Sequence, residues 1–285
     1  MAAHRALAPA KLNFSLEVRP RDGSGLHPVR GLSQTIGWYD RLTMEDSDTD
    51  RLSVHGADLT SGEDNLVWKA VRVLREQTGH DRKVDLGLWK RLPLAAGMAG
   101  GSSDAAAALL LYGSLIGLDA GTLDRPAGMV GADVTFCLHG GLRWVSGYGE
   151  RLGPPMGESA GLFVVVSVPP FLLDTTRVYR AWDVLDGPRG PDVAGYQLPP
   201  SLRVHGPLRN DLYVAAVACE PLLDDWRAEL ENRWDRRVLL SGSGPALFSF
   251  FVDEREAGEA LALVPAEARS AFAAPTIDHG ARAET

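Results

Sequence analysis

The chain has 285 residues, 45% of them hydrophobic, and a formal net charge of −8 without a long basic run. That length supplies two ordinary domains or one large one, and the charge argues against a dedicated nucleic-acid binder while leaving small anionic substrates open. Cys137 and Cys219 are the only cysteines, too few for a disulfide framework or a thiolate metal cluster, and both are expected to be buried small apolar residues. The first residues are too short and too broken for a secretory signal, and no apolar run is long enough to span a membrane, so a cytoplasmic protein is expected.

Lys11 to Val18 reads KLNFSLEV, an alternation that predicts a strand with Leu12, Phe14, Leu16 and Val18 on one face. A loop, Arg19 to Gly25, precedes a second strand over Val29 to Ile36 and a third over Arg41 to Glu45. Asp64 to Glu76 has a helical period, with Asp64 or Asn65 at its cap. Val84 to Leu88 is a short strand, and a helix is expected from Ser103 to about Leu115. Pro126 and Gly128 should interrupt any helix between Asp119 and Phe136. Gly140 to Tyr148 reads as a turn and a strand. The Gly/Pro-rich passage from Arg151 to Ser159 is the candidate domain boundary. Beyond it the pattern predicts a buried strand (Leu162 to Val168), a helix (Thr176 to Leu185) and a Pro/Gly loop. A broken helix (Leu212 to Glu231), strands at Arg237 to Leu240 and Leu247 to Val252, and a helix (Glu254 to Leu263) complete the chain. This order suggests an α+β fold.

The chemistry concentrates in Pro93 to Ala108, PLAAGMAGGSSDAAAA. A small-residue loop opens there into a good helix former. Glycines let the backbone approach a phosphate, and the first N–H groups of a helix favour negative charge. Neither a Walker A sequence nor a G-x-G-x-x-G fingerprint is present. Close helix packing is the plain alternative. Asp133, beside the apolar run VTFCL, reads alone as a helix cap. Lys11 reads alone as a solvated strand residue. The loop Leu240 to Pro245, LSGSGP, reads either as a β-turn or as backbone that approaches a ligand or the first domain.

Four separated elements, PAKLN (Pro9 to Asn13), the Pro93 to Ser103 loop, GADVTFCL (Gly131 to Leu138) and LSGSGPALF (Leu240 to Phe248), resemble the GHMP small-molecule kinases. Among these the chain looks most like the branch acting on a cytidine-diphosphate-linked sugar alcohol in isoprenoid synthesis, with EDNLVWKA, VYRAWD and NDL as supporting matches. The resemblance implies an ATP-dependent phosphotransferase with an alcohol acceptor. Its implied fold has a ribosomal-protein-like α/β amino-terminal domain (1–153) that binds ATP, and a ferredoxin-like second domain (154–285).

By the same resemblance ATP lies on Pro93, Leu94, Ala95, Ala96, Gly97, Met98, Ala99, Gly100, Gly101, Ser102 and Ser103, with Asn65 and Lys90 nearby. Ser103 (or Ser102) offers a hydroxyl to Mg²⁺. Asp133 is the general base and Lys11 its cationic partner. Asn13, Leu26, His27, Thr175 and Tyr179 contact the acceptor. No nucleic acid or membrane is implied, and the protein would be a monomer or homodimer. Two departures stand out. Leu26 occupies a position where the family commonly has a base-stacking tyrosine, and Ala99 replaces a glycine of the phosphate loop, at a cost if its φ is positive. Another GHMP kinase with a different alcohol, such as homoserine or a mevalonate derivative, and a catalytically silent relative remain the alternatives. Substrate-dependent ATP turnover separates these from one another.

Overall fold

Strand β1 (His4–Val18) forms a long hairpin with β2 (Val29–Asp46), and this pair is the spine of the molecule. The computed structural model describes residues 4–157 and 161–284. The expected second and third strands are one strand. Its GWYD segment continues as β-structure because β1 pairs along its length, the register passing from Pro9↔Tyr39 to Ala10↔Ile36 through a bulge. β3 (Arg51–His55), not anticipated from the pattern, lies parallel to β4 (Val84–Trp89) at the edge. Between them runs α1 (Leu66–Thr78), whose cap is Asn65.

Next come α2 (Gly100–Leu115), α3 (Asp124–Val130), α4 (Ala132–His139), β5 (Leu142–Gly147) and β6 (Arg151–Leu152). α2 starts three residues earlier than expected. Pro126 does not break α3, because it falls in the first turn, where its missing N–H has no intrahelical acceptor to lose. The Arg151–Ser159 passage follows, and its last two residues lie outside the described residues.

The remainder is β7 (Phe163–Val168), α5 (Thr175–Val184), α6 (Pro200–Arg203), α7 (Tyr213–Cys219), α8 (Leu222–Trp234), β8 (Leu239–Leu240), β9 (Leu247–Phe251), α9 (Glu254–Leu261), β10 (Ser270–Pro275) and β11 (Arg282–Glu284). One sheet runs β11-β1-β2-β4-β3, with β5 on β2 and β6 on β5; the other runs β10-β7-β9-β8. The final strand therefore returns to the first sheet, and Arg5 faces Glu284 in register.

Three cores follow from this layering. Ala6 and Ala8 of β1 pack with α1 and α2, through residues such as Val71, Leu74 and Leu109. Leu12 and Phe14 pack against Val164, Val166, Phe248 and Phe250 between the two sheets. Leu16 and Val18 join the helices of the second layer around Val178, Trp182 and Leu223. A single strand thus crosses all three cores, which fixes everything attached to it. Cys137 is buried as expected, whereas Cys219 is only half-buried at the end of α7. No helix among the described residues is long and apolar enough to cross a membrane.

Candidate functional site

The polar members of the β1 alternation do not face solvent. Lys11, Asn13 and Ser15 are all buried, because the two layers close over both faces of the strand. Lys11 and Asn13 line a cleft of about 400 Å³ together with Gly97, Ala99, Ser102, Asp133, Tyr148, Thr175, Tyr179 and Ser243. Asn13 is anchored from two sides: its amide nitrogen donates to Ser33 Oγ at 3.1 Å, and its backbone N–H donates to Ser241 Oγ at 3.2 Å. Its Oδ1 accepts from Lys11 Nζ at 3.1 Å.

Gly131 caps α4, so Asp133 is the second residue of that helix. A carboxylate in the first turn is electrostatically favourable there. Asp133 Oδ1 lies 3.1 Å from Lys11 Nζ; the Lys11 side chain is 6% exposed and that of Asp133 40%. The buried cation is therefore paired with an acid that opens onto the cleft. The plain readings of both residues, cap and solvated lysine, give way to one ion pair.

The small-residue loop forms an adjoining part of the cleft. Ala96 and Met98 are buried between the sheets, and the Lys11 N–H donates to Met98 O at 3.1 Å. Pro93 and Leu94 are half-buried and Ala95 is exposed. Gly97 has a φ of +76°, and a Cβ there would lie 2.3 Å from the Ser241 carbonyl oxygen. Ser241 Oγ donates to Gly97 O at 2.8 Å, and Ala246 N–H donates to Ala96 O at 3.0 Å. The LSGSGP loop is therefore the backbone that approaches the first loop, and Gly242 and Ser243 reach the cleft.

Ala99, the cap of α2, is left-handed at φ 55° and supplies no side-chain cap. Its methyl group is thus carried at the conformational cost that a glycine avoids. Gly100 and Gly101 open the helix. Ser102 faces the cleft, whereas Ser103 is fully buried. Consecutive helical residues point about 100° apart, so only one of the two hydroxyls reaches the cleft. The expectation that Ser103 presents its hydroxyl to a ligand thus meets a serine turned inward, with Ser102 in the accessible place.

Lys90 and Asn65 are committed elsewhere. Lys90 Nζ, buried, hydrogen-bonds both Asp40 and Asp104. Burial opposes its charge, but the two carboxylates outweigh that and raise its pKa above the ordinary lysine value. Burial pushes the Asp104 carboxyl up to about 7, helped by Asp40 and opposed by Lys90. Lys90 lies under the loop, 3.4 Å from where a Gly100 Cβ would be. Asn65 Oδ1 accepts from Val67 N–H at 3.0 Å, and its Nδ2 donates to Thr60 O at 2.9 Å.

On α5, Thr175 and Tyr179 are one turn apart and both line the cleft. Thr175 Oγ1 is 2.8 Å from Ser243 Oγ. Burial raises the Tyr179 hydroxyl to about 12, so its ring stays neutral. The His27 ring lies 5.0 Å from that of Tyr179, and His27 Nε2 is 2.7 Å from Asp183 Oδ1. His27 backs Tyr179 and is not among the cleft-lining residues; Leu26 is also absent from them and is 55% exposed. Tyr148 and Gly149 line the cleft without any local sequence signal, and Gly242 and Ser243 reach it from the LSGSGP loop.

A larger hollow of about 550 Å³ near Tyr196 contains none of the motif residues, and Arg236 and Arg237 there are paired with Glu256 and Glu231. The motif residues Lys11, Asn13, Gly97, Ser102, Asp133, Gly242 and Ser243 instead converge on the cleft between the layers. Residues 65–141 match the family described as GHMP kinases N terminal domain. The 4-diphosphocytidyl-2-C-methyl-D-erythritol kinase of Methylobacterium radiotolerans is 36% identical over 286 residues, 94% of this chain and 97% of its own.

This chain belongs to the 4-diphosphocytidyl-2-C-methyl-D-erythritol kinase family of GHMP kinases.

The kinase of the same name from Lachnospira eligens is 32% identical across 90% of this chain and 91% of its own. A crystal structure of 4-(cytidine 5'-diphospho)-2C-methyl-D-erythritol kinase superposes with a TM-score of 0.79 at 33% identity, covering 97% of this GHMP kinase and all of that chain (100%). A homoserine kinase from Cytophaga hutchinsonii shares the fold at a TM-score of 0.74 and 17% identity, covering 100% of this chain and 98% of its own.

Proposed function

We propose that this GHMP kinase transfers the γ-phosphate of ATP to the C2 hydroxyl of 4-diphosphocytidyl-2-C-methyl-D-erythritol, in the synthesis of isoprenoid precursors. The observation that carries this reading is the Lys11–Asp133 pair, 3.1 Å apart beside the Gly97–Ser102 loop. The names of the relatives supply the substrate.

Phosphoryl transfer needs in-line positioning, charge neutralisation and a proton acceptor within hydrogen-bond reach of the nucleophile. Asp133 takes the proton from the attacking hydroxyl. Lys11 steadies the negative charge that develops as the proton leaves. The backbone of the Pro93–Ser103 loop and the first turn of α2 cradle the ATP phosphates, with no protein side chain capping that turn. Lys90 and Asn65 act by fixing the loop and the neighbouring helix start. Tyr179, backed by His27, and Asn13 and Thr175 hold the acceptor.

Mg²⁺ neutralises phosphate charge when it is bound with ATP. No group of three or more acidic, histidine or cysteine side chains is placed to hold a metal among the described residues. The donor set suits an ion carried mainly by phosphates, with Ser102 and Asp133 as the cleft-facing oxygens. The reading keeps 1–153 as the ATP-binding and catalytic domain and 154–285 as the second, β11 returning to the first sheet. It also places the protein in the cytoplasm.

The test is ATP-to-ADP turnover with Mg²⁺ and the cytidine-bearing substrate, beside Asp133→Ala. Turnover in the parent that vanishes in the variant supports substrate and base together. A folded, ATP-binding parent without turnover directs the search to another alcohol.

A further inference from the structure

The first sheet has one covered face and one open face. Ala6, Leu42, Leu52 and Leu86 turn into the core under α1 and α2, so alternate residues of the same strands point the other way. The register lays these out in rows across the sheet. Arg282, Leu7, Arg41, Trp89 and His55 form one row, and Glu284, Arg5, Thr43, Gly87 and Ser53 the next. Glu45, Asp85 and Arg51 form the last. Arg5, Arg41, Glu45, Arg51 and Trp89 are exposed, and none of them lines the cleft.

The two ends of the open face differ in charge. At one end a hollow of about 520 Å³ carries Arg5, Arg41 and Arg91, with Trp89 and the Trp38–Phe272 stack, whose rings are 4.8 Å apart. Arg41 is paired with Glu284. Arg5 and Arg91 are exposed and form no ion pair among the described residues. At the other end the turn from β2 to β3 reads EDSDTD, four acids in six residues. Asp46 and Asp50 are spent on Arg82 and Arg75, whereas Glu45 and Asp48 are exposed and unpaired among the described residues. The middle is low: the far edge of the Trp89 indole sits over Gly87, 2.5 Å from where a Cβ would be. An antiparallel sheet can leave one face to water, with charges of both signs mixed. Here the signs are segregated beside exposed aromatic rings, which is the pattern of a contact surface.

We propose that this face joins two copies of the chain in a homodimer, the acidic turn of each seated in the arginine–aromatic hollow of the other. A two-fold axis lying between two such faces, along the Arg5–Thr43–Gly87 row, reverses the strand direction. Arg41 and Trp89 of one copy then lie over Glu45 and Asp85 of the second copy, and the same contact recurs across the axis. The contact is isologous and closes at two. Charge identifies the partner. The anionic piece that fits the hollow is on the same face of the same chain, while a net charge of −8 disfavours a polyanion.

The experiment is sedimentation velocity on the full chain, with melting temperatures to confirm folding. The parent should sediment as a dimer that weakens as salt rises from about 0.1 to 1 M, where the screening length falls from about 10 to 3 Å. Two double variants reverse the charge at either end: Arg5→Glu with Arg91→Glu, and Glu45→Lys with Asp48→Lys. Each should be monomeric, its dissociation constant raised on the order of 100-fold or more by like charges brought together. An equimolar mixture of the two should sediment as a heterodimer, because both ends of the contact are complementary again. That recovery also excludes misfolding as the cause of either loss. A monomeric parent overturns the proposal, as an anion or another macromolecule would then be the occupant of the hollow. Reversal variants as dimeric as the parent, or a mixture that stays monomeric, overturn it equally.

Discussion

Lys11 Nζ is 3.1 Å from Asp133 Oδ1, and the same ammonium donates to Asn13 Oδ1 at 3.1 Å. The lysine is buried in a strand shared by all three cores, while the aspartate sits at the start of a short helix with an open side to the cleft. The acid is thus held by a rigid partner at the point where a hydroxyl would lose its proton. Asp133→Asn should lower kcat by about 10²- to 10⁴-fold, the range of a general base, with little change in KM for ATP. Lys11→Met should also lower kcat. Steady-state kinetics on purified variants, with melting temperatures to confirm folding, check both.

Ala99 relieves or stores strain according to its φ, and that φ is 55°. Replacing it with glycine removes a left-handed penalty of about 1–2 kcal/mol, offset by roughly 0.4–1 kcal/mol of extra unfolded-chain entropy. Ala99→Gly should therefore stabilise the protein by about 0.5–1 kcal/mol in urea unfolding.

The contact between the two glycine-rich loops leaves no room for a side chain at Gly97. Gly97→Ala sets a methyl group 2.3 Å from the Ser241 carbonyl oxygen in a left-handed residue, and should cost about 2 kcal/mol or more. Ser241→Ala leaves the Asn13 N–H and Gly97 O without their partner, at about 1–3 kcal/mol. Because Ser241 touches no acceptor in this reading, its loss should appear in unfolding midpoints before it appears in KM.

Lys90 separates a structural cation from a nucleotide-binding one. Lys90→Met leaves Asp40 and Asp104 buried without their counter-ion, a loss of about 3–5 kcal/mol. Chemical denaturation measures this directly. A variant that keeps its unfolding midpoint but loses ATP affinity would contradict that assignment.

Asp50 clamps α1 to the edge of the sheet, accepting from Arg75 Nη1 at 2.9 Å and Nη2 at 2.7 Å. Burial opposes its charge, but Arg75, the Val84 N–H and Lys83 hold its carboxyl below the usual 3.8. A lowered folded pKa means that the folded state binds fewer protons than the unfolded one around that pH. The stabilisation is therefore present above pH 3.8 and lost as pH falls through the folded value. Asp50→Asn should melt below the parent at neutral pH, and the difference should shrink on acidification below pH 3.8.

Much of this protein was legible along the chain. The KLNFSLEV alternation, the α1 period with its Asn65 cap, the small-residue loop opening α2 and the buried Phe163–Val168 strand are local patterns, and each formed near where the sequence set it. Short or composite elements were harder. β2 carries a bulge at its GWYD segment, and only its pairing with β1 keeps it a single strand. β10, rich in alanine and ending in Pro275, and the three-residue β11 exist because β7 and β1 offer open edges. β-Propensity describes fit to neighbours, so a strand with weak residues is decided by its partner.

By itself the sequence determined which residue types were available at which spacing: a lysine on an alternating strand, an acid after Gly131, glycines where the backbone turns left-handed. Tertiary structure alone decided that Lys11 meets Asp133, that Lys90 is spent on Asp40 and Asp104, that Ser102 faces the cleft while Ser103 turns inward, and that Tyr148 reaches it where Leu26 does not. Periodicity is a property of neighbours in the chain. Ion pairing, burial and cleft exposure depend on distances between segments far apart in sequence, which are set only when the sheets and helices pack.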